Sequence, residues 1–369
     1  MFFPPLAPSS PLSLATTMKE KFLRLQLCWG LFCGWTVVGK LASDCQAQSI
    51  PSARLDSLLQ RAIVATVDQE YERAFRLVEQ AIALAPQDPL GPLFRAATLQ
   101  SRMMDYEAYD DEKEFFKSLK QCRRLAEKKL QRQPNDAGGH FALGSAYGYE
   151  AFYVGKKKRY LEAAHLGWNS IKHLETAIRL DSTMYDAYLG LGTYKYYRSK
   201  LKLLFFSDER EAGLTMVRKA CAHGKYSRYA ALNGLTWILL DENKAQEAFA
   251  LSDSVLRAHP RSRFFMWGAA ESAARLDDLK YARGIYQRVL TTLTEESKLS
   301  PYLEAVARTK LARVEFKAGN TEGGCQEVAR AAELKFERDP RQKDVAKTIA
   351  SLQASCPQAA AYSNGRSGQ

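Results

Sequence analysis

The chain has 369 residues, enough for two ordinary domains or for one extended repeat array. Hydrophobic residues make up 46% of it and charged residues 25%, which is typical of a folded soluble protein and excludes a chain disordered throughout. The 53 Lys and Arg residues outnumber the 41 Asp and Glu residues, giving a formal net charge of +12. This excess favours acidic partners, nucleic acid or anionic membrane surfaces, without choosing among them.

Residues 1–47 have the three-part layout of a secretory signal peptide. Basic residues follow Met18, a mostly apolar run extends from Leu25 to Val38, and small residues precede a cleavage point between Ala47 and Gln48. The apolar run is too short to span a bilayer comfortably. The sequence therefore predicts an exported protein. Met18 is the better start, because the residues before it are rich in Pro and Ser and lack basic side chains.

Two alternatives to cleavage stay open. The segment could remain as an uncleaved anchor, or Cys45 could carry a lipid, since Leu41 to Cys45 loosely resembles a bacterial lipobox. Asp44, however, stands where that motif wants Gly or Ala. The periplasm is the predicted compartment, and secretion or anchoring in the envelope are the alternatives.

Cysteine spacing adds an expectation for an oxidising compartment. Cleavage would leave Cys122, Cys221, Cys325 and Cys356. The pair closest along the chain, Cys325 and Cys356, is the best disulfide candidate. Unpaired buried thiols are the alternative.

Beyond residue 50 the pattern is helical almost throughout, and a 34-residue unit recurs. One half of the unit reads Ala74-x3-Val78-x2-Ala81-x4-Pro86, with copies that start at Ala248 and Ala282. The other half reads Leu143-Gly144-x2-Tyr147, with a weaker copy at Leu191-Gly192. Small residues at these places let two antiparallel helices approach closely, and each proline ends a helix before the next unit.

These motifs resemble the tetratricopeptide repeat (TPR), in a divergent form like that of exported bacterial proteins. The resemblance implies an all-α fold, a right-handed α-solenoid of about seven helix pairs with a C-terminal capping helix. We expect the array to cover residues 50–338 and the capping helix to cover 339–356. Residues 357–369, rich in Gly, Ser and Ala, are expected to be a disordered tail.

Fragments that could support catalysis are incomplete. Glu162-x2-His165 lacks the second copy that a di-metal site needs, and Cys221-Ala222-His223 lacks a second cluster to complete four ligands. The sequence therefore predicts no enzyme, no catalytic residue, no metal and no cofactor. A hydrolase whose residues meet only in space stays a third hypothesis.

Tyrosines are concentrated in the middle of the array. Nine of the eighteen lie between Tyr147 and Tyr197, and a tyrosine ring with its polar tip suits recognition of peptides or glycans. Tyr147 is a packing residue by its place in the motif. We predict that Tyr153, Tyr188 and Tyr196 line the groove of the solenoid, with core packing as the alternative.

A basic loop lengthens the third unit. It contains Lys156, Lys157, Lys158 and Arg159, which are predicted to contact an acidic partner, with a solvated face as the alternative. The fourth unit carries a further insert around Lys200 to Phe206. Export argues against nucleic acid as the partner.

The predicted function is that of a non-enzymatic exported scaffold, which binds a protein partner in its concave groove. The alternative is a protein that binds a glycan or small ligand through the Tyr-rich central repeats. Peripheral contact with a membrane or the cell envelope is compatible with both.

Overall fold

The computed structural model describes residues 53–200, 207–335 and 342–356. The predicted signal peptide, the lipobox around Cys45, residues 201–206 of the predicted insert and the predicted tail lie outside these ranges.

Every regular element in the described ranges is an α-helix. There are fifteen of them: α1 (Ala53–Val67), α2 (Tyr71–Leu84), α3 (Leu90–Tyr106), α4 (Glu112–Arg132), α5 (Ala137–Lys156), α6 (Tyr160–Leu180), α7 (Tyr185–Lys200), α8 (Arg210–His223), α9 (Arg228–Asp241), α10 (Ala245–Ala258), α11 (Arg263–Arg275), α12 (Leu279–Glu295), α13 (Pro301–Lys317), α14 (Thr321–Glu333) and α15 (Gln342–Gln353).

Consecutive helices pack as seven pairs, from α1–α2 to α13–α14, and we number these pairs as units one to seven. From α1 to α11, each odd-numbered helix also contacts the next odd-numbered helix, so these helices form an inner layer. The last helix, α15, packs on α13 and α14. The prediction of an all-α, TPR-like solenoid of about seven helix pairs with a C-terminal capping helix is confirmed.

Small residues set the spacing within the pairs, most tightly between α7 and α8. A Cβ placed on Gly192 would lie 2.7 Å from the carbonyl oxygen of Gly213, and one on Gly213 would lie 2.6 Å from the carbonyl oxygen of Gly192. Any side chain there would force the two backbones apart. Gly192 stands at the predicted motif position, whereas Gly213 was not singled out from the sequence.

The turn between the two helices of a unit repeats one backbone feature. In six of the seven units one residue of this turn has a positive φ, near +50° to +77°; these residues are Gln69, Glu107, Lys158, Asn243, Asp277 and Gly319. In the fourth unit, residues 201–206 of the connection between the two helices lie outside the described ranges. Only half of the six are Gly, Asn or Asp, the residues that favour this conformation, so the sequence does not reveal the repeat of the turn.

A disulfide joins Cys325, in α14, to Cys356, which follows α15. Cys122 and Cys221 are free thiols. The disulfide therefore ties the capping helix to the last unit of the array.

Candidate functional site

The three tyrosines predicted to line the groove are buried in the core. The Tyr153 ring packs 5.1 Å from the Phe115 ring, and the Tyr196 hydroxyl donates a hydrogen bond to Asp241 at 2.5 Å. The Tyr188 ring is likewise buried between helices. The expectation of a groove lined by Tyr153, Tyr188 and Tyr196 is wrong, because their rings fill the space between packed helices.

The predicted basic loop is largely neutralised by acids of the same chain. Lys156, at the end of α5, is almost fully buried, with its Nζ 3.0 Å from Oε1 of the similarly buried Glu107. Lys157 pairs with Glu112 at 2.9 Å. Arg159 also has an acidic partner within its own turn, and Lys158 is exposed with φ +61°. Lys156, predicted with the other three to contact an acidic partner, is instead buried against an acid of its own chain, so neither that expectation nor the solvated-face alternative holds for it.

The inner layer closes on itself, because units one and two touch the starts of units five and six. Asp56 in α1 bonds to Lys225 and Tyr226 in the turn before α9. Asp68, in the turn after α1, lies 2.9 Å from Nδ1 of His259, in the turn before α11. The predicted concave groove is thus covered by the chain's own contacts over these units.

Arg263, the first residue of α11, lies at the centre of this closure with only 1% of its side chain exposed. Its Nε and Nη2 donate to the two oxygens of Asp105, at the end of α3, at 2.8 and 2.5 Å. Nη1 and Nη2 donate to Glu296 at 2.8 and 2.9 Å. Burial acts to raise the pKa of Glu296, but the hydrogen bonds and charge of Arg263, together with the Tyr106 hydrogen bond and the charge of Arg261, outweigh it and lower that pKa.

Tyrosine hydroxyls complete the same network. Tyr71 donates to Asp105 at 2.9 Å, and Tyr106 donates to Glu296 at 3.0 Å. Burial raises the pKa of Tyr71, and the Asp105 carboxylate raises it further, so the phenol keeps its proton. One buried cation and two carboxylates therefore share a network in which each group has partners.

Behind the closure lies a cavity of about 100 Å³. It is bounded by the inner helices α1, α3, α5 and α7, by the start of α9 and by one face of α6. Its apolar wall includes Leu93, Phe94, Phe141 and Leu189. None of the described residues that line it is Lys, Arg or His. This volume lies below the roughly 300–1,000 Å³ of pockets that hold drug-sized ligands, so an occupant would be about the size of one ring.

Four hydroxyls that line the cavity have no hydrogen-bond partner among the described residues. Ser101 is 3% exposed, Ser170 is 4% exposed, and the other two belong to the half-buried Ser145 and Tyr149. Burial raises the pKa of Tyr149 to about 12, so its hydroxyl is neutral at physiological pH. The cavity therefore offers neutral hydroxyls that can both donate and accept a hydrogen bond.

The one carboxylate at the cavity wall, among the described residues, is that of Asp186, and it is already occupied. Its Oδ1 accepts hydrogen bonds from the backbone N–H of Tyr226 at 2.8 Å and of Ser227 at 2.7 Å, and from the Ser227 hydroxyl at 2.8 Å. Burial raises the pKa of Asp186 in spite of these donors. This side chain thus holds the turn before α9 in place.

A second candidate surface, which the sequence analysis did not single out, lies on the outer helix of unit three. Leu161 and Trp168, two turns apart on α6, are each 69% exposed, and Tyr160 beside them is exposed too. Ala164 and His165 on the same face are also exposed. The sequence contains a signal for this surface. Leu161 and Trp168 are apolar residues seven positions apart, on a helix face whose other exposed residues are Lys172, Glu175 and Arg179.

The described ranges offer no metal cluster and no membrane span. No group of three or more His, Cys, Asp or Glu side chains in these parts of the chain could hold a metal ion. None of the helices there has the length and hydropathy that crossing a bilayer requires.

Comparison with known proteins gives similarities to solved structures alone. No protein-family model matches the chain, and no curated protein matches it significantly. The TPR protein TTC0263 of Thermus thermophilus is similar at 18% identity and a TM-score of 0.38, over 59% of this chain and 98% of that one. A tetratricopeptide repeat protein of Parabacteroides merdae gives 11% identity and a TM-score of 0.37, over 82% and 98% of the two chains. Human IFIT1, in a dimer with PPP-AAAA, gives 13% identity and a TM-score of 0.46, over 84% and 78%.

Proposed function

We propose that this protein is a non-enzymatic helical-repeat scaffold that binds a partner protein on the exposed face of α6. The observation that carries the proposal is the pair Leu161 and Trp168, each 69% exposed on one face of one helix. Large apolar side chains with this exposure are costly in water unless a partner covers them, and Trp is among the commonest residues at the energetic centre of interfaces.

The closed inner layer favours the outer face over the groove. The Arg263 network and the contacts of Asp56 and Asp68 hold units one and two against units five and six. A partner segment in the groove would have to break these contacts, whereas α6 is open without any rearrangement. The glycan alternative is disfavoured as well, since the cavity is about 100 Å³, which is smaller than the pockets that hold ligands of that size.

The partner surface is proposed to be apolar at its centre and acidic at its edge. Exposed Lys158 and Lys172 lie near the two ends of the Leu161–Trp168 patch. Charges at the edge of an interface steer association and contribute little to stability.

Export is part of the same proposal. The disulfide between Cys325 and Cys356 supports it, because such bonds persist in oxidising compartments, and so does the signal-like layout of residues 1–47. Intact-mass measurement from the native host tests it: we expect Gln48 at the N-terminus, and a mature chain that begins at Met1 or Met18 would contradict it.

The docking proposal is tested by photo-crosslinking in the native host. A photoreactive amino acid at His165, on the same face, should capture a protein, and the crosslink should fade in the Trp168→Ser and Leu161→Ser variants. The matched control is Leu276→Ser, which changes an exposed leucine in unit six. All variants should have the same melting temperature as the parent protein. A crosslink of equal strength in the parent and in both α6 variants would overturn the proposal of a protein partner. Binding to anionic vesicles that depends on Trp168 would overturn it as well.

A further inference from the structure

The cavity behind the closure exists because five of the helices around it each contribute a small residue to its wall. Ala62 of α1, Ala97 of α3, Gly148 of α5, Gly190 of α7 and Ala230 of α9 all line it. Protein interiors are otherwise packed to the density of organic crystals, and a larger side chain at one of these positions would take up much of the space. Five separate helices therefore contribute to one void.

Buried hydroxyls show that the void is not simply apolar. Ser101 and Ser170 line it and are more than nine-tenths buried, yet they have no hydrogen-bond partner among the described residues. Two other buried serines bond to their own helices: the hydroxyl of Ser252 donates to the Ala248 carbonyl at 2.7 Å, and that of Ser272 donates to the Gly268 carbonyl at 2.7 Å. The hydroxyls of Ser101 and Ser170 make no such bond and line the void, so they are available to an occupant.

The charges of the residues that line the cavity determine which kind of molecule can bind there. No described basic residue lines the cavity, and the Asp186 carboxylate already accepts three hydrogen bonds at its edge. An anion would meet this carboxylate without a counter-charge. A cation would have to compete for an oxygen that holds the turn before α9. A neutral occupant avoids both costs.

We propose that the cavity is a binding site for a neutral, ring-sized apolar group that carries one hydroxyl, of the kind found in benzyl alcohol or in a tyrosine side chain. The ring would lie against Phe94 and Phe141, and the hydroxyl would bond to one of the four hydroxyls without partners, those of Ser101, Ser145, Tyr149 and Ser170. The volume of about 100 Å³ matches one such group, given that an engineered apolar cavity of about 150 Å³ binds benzene. This site is separate from the α6 face, so either proposal can fail without the other.

The test is titration of the oxidised full-length chain by NMR with four probes of similar size: benzyl alcohol, toluene, benzoate and benzylammonium. We expect benzyl alcohol to bind about tenfold more tightly than toluene, which lacks the hydroxyl, and both ions to bind more weakly than toluene. A fifth probe, N-acetyl-tyrosinamide, separates the two sources of the group. Tighter binding of this probe indicates a side chain of a polypeptide, and tighter binding of benzyl alcohol indicates a free molecule.

Three variants locate the binding. Ala97→Leu should fill the cavity and reduce affinity for benzyl alcohol at least tenfold, and Ala97→Val serves if the leucine variant fails to fold. Replacing all four hydroxyls without partners, by changing Ser101, Ser145 and Ser170 to Ala and Tyr149 to Phe, should remove the preference for benzyl alcohol over toluene. The matched control is Ser252→Ala, a buried serine outside the cavity lining, which should bind as the parent does. Absence of binding by every probe, equal binding of benzyl alcohol and toluene, or binding that survives both Ala97 variants would overturn the proposal.

Discussion

Arg263 and Asp105 are 158 positions apart in the chain, yet their side chains form an ion pair joined by two hydrogen bonds. Only 1% of the Arg263 side chain and 2% of the Asp105 side chain are exposed. The pair joins the start of α11 to the end of α3. It therefore connects units two and six directly, in addition to the stacking of neighbouring units.

Removing one partner of this pair should destabilise the protein strongly. Arg263→Met leaves the buried Asp105 carboxylate without its counter-charge, which typically costs about 3–5 kcal/mol. Urea unfolding measures the loss. The matched control is Arg257→Met, because Arg257 is exposed and pairs with Asp253 on its own helix, so its loss should cost less than about 1 kcal/mol. Asp105→Leu added to Arg263→Met should recover part of the loss, and equal costs for both arginine variants would show that the pair does not hold the closure.

Glycine contacts between α7 and α8 give a second prediction. Gly192→Ala should cost about 1–3 kcal/mol, since the new Cβ would lie 2.7 Å from the Gly213 carbonyl oxygen. Gly167, on α6, is the control, because a Cβ there meets nothing within 4 Å. Gly167→Ala should therefore stabilise the helix by about 0.5–1 kcal/mol. Opposite shifts in melting temperature are expected, and shifts of the same sign would contradict the packing described here.

The basic loop should respond unevenly to loss of charge. Lys156→Ser removes the partner of the buried Glu107 and should cost about 2–4 kcal/mol. Lys158→Ser removes an exposed charge and should change stability by less than about 0.5 kcal/mol. Thermal unfolding of the two variants side by side checks this. If Lys156→Ser had the same melting temperature as the parent, the loop would be the solvated face that the sequence analysis left as the alternative.

The paired histidines predict a dependence on pH. Burial lowers the pKa of His173, and the charge of His140, whose Nδ1 lies 2.9 Å from that of His173, adds to this effect, so that the pKa falls to about 4. Below its ordinary pKa near 6.5 the unfolded chain binds a proton that the folded chain does not, so stability falls as pH drops from about 6.5 to about 4.

His173→Gln should therefore lose less stability between pH 7 and pH 4.5 than the parent does. We expect a difference of about 1 kcal/mol, reduced by solvent screening because the ring is only half buried. His165→Gln, which changes an exposed ring, is the control and should follow the parent. An identical acid dependence of all three proteins would show that His173 titrates normally.

The helix pairs could be predicted from the sequence because their signals are local. Gly144, Gly192, Ala74 and Ala282 recur at fixed offsets, and these offsets place each close approach between neighbouring helices. The same periodicity could not tell whether Tyr153 or Tyr196 faces the groove or the space between paired helices, since both surfaces accept an aromatic ring. Burial of the tyrosines therefore had to come from the structure.

The closure and the cavity carried no local signal. Arg263 contacts Asp105 and Gln69, which are 158 and 194 positions away, and nothing in the residues beside it points to either partner. The apolar run from Phe264 to Trp267 after a single arginine indicates burial but not what lies against it. Trp168 is different, because its seven-residue spacing from Leu161 is visible in the sequence alone.

Contact between distant units changes how such an array should unfold. An open solenoid is quasi-one-dimensional: each unit touches only its neighbours, so its ends can fray while its middle persists. Here the ion pair of Asp56, the hydrogen bond between Asp68 and His259 and the Arg263 network make units one to six a single cooperative body. Unit one cannot leave without breaking contacts to units five and six. Unit seven and α15 lie beyond this body, and the Cys325–Cys356 disulfide fastens the end that the closure leaves out.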